Sequence, residues 1–206
     1  QQAQLKNTEK LAALSEWFSQ PAALAEGEHQ NHCLCGTTHN NSIKTHGANE
    51  KTIFANAKWL SSDSSKNLRV GENNSPYGDP AKPDDAADGW FLPEGTYYLK
   101  GEDGEIDVTI DKPIVIRSNV TICLNGKTLQ STAENKPVFQ IIGGELTLTD
   151  CSEGTGKVMH SYSLGGRGTG VKVNSRGIFN LYGGTIFKNM ADYGGGVLVD
   201  GGTFHM

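Results

Sequence analysis

The segment Gly170-Val171-Lys172-Val173-Asn174 returns as Gly196-Val197-Leu198-Val199-Asp200, and Gly177-Ile178-Phe179-Asn180-Leu181 returns as Gly202-Thr203-Phe204-His205-Met206. A unit of about 25 residues, built of short alternating strands and glycine-rich corners, cannot bury its apolar face alone and therefore predicts a solenoid of stacked coils. Such a stack offers long flat faces and ladders of like residues in place of one deep pocket.

The strand pattern is continuous from Trp90 onward. Pro113 to Ile116, Val120 to Leu124 and Lys127 to Leu129 form a first set of three; Val138 to Ile141, Glu145 to Leu148 and Lys157 to Met159 form a second. Val171 to Val173, Phe179 to Leu181 and Thr185 to Phe187 form a third, and Val197 to Val199 with Thr203-Phe204 begin a fourth. Three strands per coil is the pattern of a parallel β-helix. Equating Leu129 with Met159 and Ile186, and Val138 with Val171 and Val197, places the length variation in the corners, where 161–168 is the longest insertion. Alternation puts Val120, Ile122, Leu124, Leu146 and Leu148 inside and Thr121, Thr147 and Asn180 outside. The fourth set stops before its third strand. An open strand edge invites pairing, so the expectation is that further coils, or another subunit, cover that end.

Composition agrees with a thin interior: hydrophobic residues are 36% of the 206, yet glycine numbers 26, about twice average usage. The net charge of -5 with no basic cluster argues against a nucleic-acid partner. No apolar run approaches the ~20 residues that span a bilayer.

Ahead of the solenoid the chain divides into three pieces. Residues 1–28 read as a helix over 8–20, opened by Asn7 or Thr8 and stopped by Pro21, followed by a linker. Its stripe of Leu11, Leu14, Trp17 and Phe18 is expected to pack on a solenoid end. Ala23-Leu24-Ala25 has the small-x-small form of a signal-peptidase site, but Glu16 and Gln20 interrupt the stretch before it, which favours an ordinary amphipathic helix. Residues 29–60 read as a Cys/His-rich capping segment and 61–89 as a polar surface loop. In that loop Asp79, Asp84, Asp85 and Asp88 lack the spacing of a calcium loop and read as solvated acids.

The Cys/His segment is the sharpest candidate site. Cys33 and Cys35, with His32 or His29 and His39 or His46, supply the four ligands of a tetrahedral structural zinc, whose binding would stabilise a region too polar to make its own core. Cys-x-Cys is tighter than usual zinc spacing, and in an oxidising compartment the same thiols could instead bridge to Cys123 or Cys151. A Cys123–Cys151 bridge needs a bend near Asp150, because Ile122 matches Leu148 and leaves the two thiols about two residues out of line; packed thiols are the plainer reading.

Catalysis on such a fold calls for grouped carboxylates. Asp107, Asp111, Asp150, Asp192 and Asp200 do not recur at the coil period, and Asp150 and Asp192 fall at corners where solvated turn residues are expected. Outward aromatics point to binding instead: Tyr162, Tyr182 and Tyr193, together with Arg167 in the glycine-rich insertion, are candidate ligand contacts, since tyrosine supplies contact area at low entropic cost. Packing beside glycine corners is the plain alternative for Tyr182 and Tyr193.

The run from Val120 through Asn125-Gly126-Lys127-Thr128-Leu129, then Leu146 to Cys151, Phe179 to Ile186 and Gly194-Gly195-Gly196-Val197, resembles the right-handed parallel β-helix repeats of large surface proteins and adhesins of gut Firmicutes. His32-Cys33-Leu34-Cys35-Gly36, with Trp59 downstream, resembles the segment that often precedes them. The resemblance implies export, to the medium or the bacterial cell surface, and display of a β-helical face to a host protein or glycan. Polysaccharide lyases and glycoside hydrolases use similar scaffolds, and a structural spacer is a third class, so the fold alone does not assign the activity.

Overall fold

The computed structural model describes residues 57–71, 78–100, 107–150 and 155–206. All belong to the unit Asn31–Met206. The chain enters through β1 (Lys58–Ser62), turns back through β2 (Leu68–Gly71) and β3 (Asp79–Pro80), and crosses to β4 (Pro83–Asp84), which lies antiparallel to β5 (Gly89–Leu92). From there strands come in threes. The first set is β6 (Gly95–Leu99), β7 (Asp107–Ile110) and β8 (Ile114–Ile116); the second is β9 (Asn119–Cys123), β10 (Thr128–Ser131) and β11 (Phe139–Ile141). The third is β12 (Glu145–Thr149), β13 (Lys157–His160) and β14 (Val171–Val173), and the fourth β15 (Ile178–Leu181), β16 (Thr185–Ile186) and β17 (Val197–Val199), followed by β18 (Thr203–His205).

Each set contributes one strand to each of three sheets. The first sheet runs β18-β15-β12-β9-β6-β1 with β2 and β3 on its edge, the second β16-β13-β10-β7, and the third β17-β14-β11-β8-β5-β4. Pairing between strands three apart in the chain is parallel throughout. Among the described residues there is no α-helix, only a 3-10 turn at Tyr162–Leu164. The chain is thus all-β with parallel sheets, as its periodicity predicts. The helix expected over 8–20 lies outside the described residues.

Register follows the alternation of apolar side chains, because a slip of one residue would turn every core residue outward. Val120, Leu146, Phe179 and Phe204 stand level in the first sheet, and Trp90, Ile114, Phe139, Val171 and Val197 in the third. These belong to one continuous core that also holds Ile122, Leu124, Leu148, Leu129 and Val158. Two expected equivalences are off by one: Leu129 is level with Val158, not Met159, and Val171 with Phe139, not Val138. Both slips occur where adjacent residues are apolar, so alternation alone does not choose the face.

On the other side of the first sheet, Trp59, Tyr98 and Cys123 stand level on β1, β6 and β9 and form a small second cluster with Ala57. The Trp59 ring lies so close to Gly71 and Gly78 that a Cβ at either would collide with it. Fastening between sets uses corner side chains. Asp150 accepts from the Gly126 N–H at 2.7 Å and the Gly156 N–H at 2.8 Å, and Asn125 donates to the Leu99 carbonyl at 3.1 Å.

The stretch 61–89, expected as a solvated loop, carries β2, β3 and β4 among its described residues, with Leu68 fully buried. Two of the four acids expected to be solvated are engaged too. Arg117 Nε donates to Asp84 at 2.8 Å, which holds that carboxyl below the usual range, and Asp88 pairs with Lys136 at 3.4 Å. Isolated Leu68 and Val70 in a Ser/Asn/Asp-rich background are too few to show a strand period.

Phe179 has no exposed surface and its ring stacks on Phe204 with centroids 5.1 Å apart and an 11° interplanar angle. Phe179→Ala is expected to cost about 3–5 kcal/mol of unfolding free energy, read as a lowered urea midpoint, whereas Phe187→Ala at the half-open edge costs well under half of that.

Candidate functional site

The four corners joining the second sheet to the third are 111–113, 132–138, 161–170 and 187–196, so this edge grows along the chain. The corners from the third sheet back to the first, 117–118, 142–144, 174–177 and 200–202, stay short. Long corners on one edge are the usual place for binding in solenoids.

These corners are built, not slack. After β13 the chain makes its 3-10 turn, closed by Gly165 in the left-handed region at φ 87° with its N–H on the Tyr162 carbonyl at 3.0 Å. Arg167 N–H then donates to the Ala133 carbonyl at 3.0 Å and pairs with Glu134 in an isolated parallel bridge. Gly168 N–H donates to the Met190 carbonyl at 2.9 Å, and the Thr169 hydroxyl to the Tyr193 carbonyl at 3.4 Å. Three successive corners are therefore zipped together by backbone and hydroxyl donors.

Beneath them sits a buried imidazole. His160 occupies the position that Ile110 and Ser131 hold in the preceding strands, and it has no exposed surface. Its Nε2 lies 3.0 Å from the Lys136 carbonyl, in the corner of the preceding set, and its Nδ1 lies 2.8 Å from Asn189 Oδ1, in the corner of the next. Asn189 is oriented by its own donation to the Val158 carbonyl at 3.1 Å. A neutral ring carries one N–H, so it donates to one of these two acceptors at a time. Burial pushes the His160 pKa down, and the two hydrogen bonds oppose that pull without overcoming it.

The outside of this edge carries large apolar side chains among charged ones. Tyr162, Leu164, Phe187, Met190 and Tyr193 are all exposed, Tyr193 at 79%, and they make up most of the exposed large hydrophobic side chains among the described residues. Scattered exposed apolar residues are ordinary, but their concentration on one edge is not. Lys188 and Lys157 place their ammonium groups 5.2 and 5.5 Å from the Phe187 ring centroid. Among the described residues no ring or cation stacks on Tyr162 or Tyr193. Such an edge can hold a ligand by stacking and shape; it contains no nucleophile paired with a base.

Of the residues singled out from sequence, Tyr162, Arg167 and Tyr193 fall on this edge. Tyr182 does not. It is exposed at the corner 182–184, which joins the first sheet to the second. The sequence does not single out Leu164, Phe187 or Met190; its pattern puts Phe187 in a strand, but β16 ends at Ile186 and the next side chain in a period of two points outward. Cys123 is buried and level with Thr149, and Ile122 is level with Leu148 as expected. Cys151 and the six zinc candidates His29, His32, Cys33, Cys35, His39 and His46 lie outside the described residues. Asp150, expected as a solvated turn acid, is instead engaged with Gly126 and Gly156, and Asp200 pairs with Lys172 at 3.5 Å. Among the described residues no group of His, Cys, Asp and Glu is placed to hold a metal ion, and no helix is long and apolar enough to cross a membrane. The chain matches no protein-family model, no curated protein and no solved structure.

His160 gives the edge a pH dependence whose sign follows from its lowered pKa. The folded state binds a proton less readily than the unfolded chain, so this stabilisation is complete above the unfolded value of 6.5 and is lost as pH falls through the folded value. Unfolding free energies measured across that range are expected to fall on acidification more steeply in the wild type than in His160→Gln; parallel curves would refute the assignment.

Proposed function

We propose that the chain is a right-handed parallel β-helix of an exported surface protein that binds a host protein or glycan through the edge formed by 132–138, 161–170 and 187–196. Three parallel sheets visited in constant order support the winding, and parallel crossovers are almost always right-handed. The observation that carries the binding role is the row of exposed Tyr162, Leu164, Phe187, Met190 and Tyr193 on corners tied down by hydrogen bonds. A spacer has no need of such a row, since exposed apolar area is an aggregation liability unless something covers it. Carbohydrate cleavage finds less support, because Asp150 and Asp200 are engaged within the fold.

Glycan arrays and a panel of purified extracellular host proteins, probed with the full chain, test this reading. The double variant Tyr162→Ala/Tyr193→Ala is expected to weaken capture by about tenfold or more, the usual effect of removing aromatic anchors, while leaving the unfolding transition in place. Equal capture by wild type and variant, or release of unsaturated products from a polysaccharide, would displace the binding role.

A further inference from the structure

A second site lies away from this edge, where β1, the β2–β3 pair, the link into β4 and the β5–β6 corner enclose a cleft of about 620 Å³. That volume is within the range of small-molecule sites, roughly 300–1,000 Å³. Its body is apolar: Val70, Pro80, Phe91, Pro93 and the Tyr97 ring line it. Its walls are held in place before any ligand arrives. Val70 is level with Asp79 and Arg69 with Pro80, the Ala81 N–H donates to the Leu68 carbonyl at 2.8 Å, and the Phe91 N–H donates to the Lys82 carbonyl at 3.0 Å. A preformed cleft spares a ligand the cost of ordering loops.

The polar groups around it are unequal. Prolines offer no N–H, and the Tyr97 hydroxyl already donates to the Pro93 carbonyl at 2.8 Å, its pKa pushed up to about 12 by burial. The cationic donors are the ammonium groups of Lys58, on β1, and Lys82, on the link into β4, set against the single carboxylate of Asp79. Among the described residues no carboxylate lies within ion-pair distance of either lysine, whereas Arg69, Arg117, Lys136 and Lys172 each have one. Two such cations beside an apolar hollow favour an anion that carries its own apolar body.

We infer that this cleft binds a small anionic amphiphile, a flat apolar body bearing one carboxylate or sulfonate, with the body against Val70, Phe91 and Pro93 and the charge on Lys58 and Lys82. The site is independent of the corner edge and of whatever binds there.

Fluorescence titration of the full chain with anilinonaphthalene sulfonate, and with phenylnaphthylamine as the same body without the charge, tests the inference. The expected result is one saturable site with the sulfonate bound about tenfold more tightly, a ratio equivalent to ~1.4 kcal/mol. That preference shrinks as salt is raised and vanishes in Lys58→Glu/Lys82→Glu, which keeps the wild-type unfolding transition because both side chains are exposed. Equal affinity for the two probes, a preference insensitive to salt, a preference that survives in the folded double variant, or no saturable binding would each overturn it. The salt series needs only the wild type, so it decides the matter even if the double variant does not fold.

Discussion

Parallel pairing in fixed register, between strands one set apart, is the constraint from which the remaining structure follows. Each middle strand hydrogen-bonds on both sides at a spacing of about 4.8 Å, so side chains at equivalent positions are forced into contact along the stack. The level row Val120, Leu146, Phe179 and Phe204 is one product, and the near-parallel rings of Phe179 and Phe204 are the geometry that such stacking imposes. Every inward position in the row inherits the same requirement to be apolar. Burying a Val, Leu, Ile or Phe side chain contributes about 1.5–3 kcal/mol, and repetition of that gain in successive sets makes a thin interior sufficient.

Several of the polar groups admitted into this scheme connect one set to the next. His160 takes an inward position at the end of β13 and touches the corners before and after its own. Asn180, itself nearly buried, donates to Glu145 at 2.7 Å, and its Oδ1 accepts from His205 Nδ1 at 2.9 Å, so one side chain joins three neighbouring strands. Asp150 ties another corner, accepting from Gly126 N–H of the preceding set and Gly156 N–H of its own. A buried polar group without partners is destabilising; His160, Asn180 and Asp150 each find at least one partner in an adjacent set, which makes them fasteners between sets.

The legibility of the chain tracks this logic. Val171-Lys172-Val173 and Val197-Leu198-Val199 repeat closely enough that the pairing of β14 with β17 could be written down from sequence, and Val120 to Leu124 alternates cleanly enough to assign its faces. Where two apolar residues adjoin, as at Val138-Phe139 and Val158-Met159, the period gives no preference and the alignment slipped by one. The β2–β4 region was hidden because Leu68 is embedded among polar residues. At the candidate site, Tyr162, Arg167 and Tyr193 were legible from their setting in glycine-rich corners. Tyr182 shares that setting yet lies on another edge, a distinction that needs sheet membership. The partnership of His160 with Asn189, 29 residues apart, depends on the register of whole strands and leaves no local trace.

The growth of one edge from 111–113 to 187–196, while 117–118 and 200–202 remain brief, carries a wider consequence. Strand register is dictated by what lies directly above and below, and it is indifferent to how much chain is spent rounding a bend. Insertions on that side therefore leave the scaffold unaltered, so the length and composition of a bend can be rewritten while every rung of the ladder stays as it was.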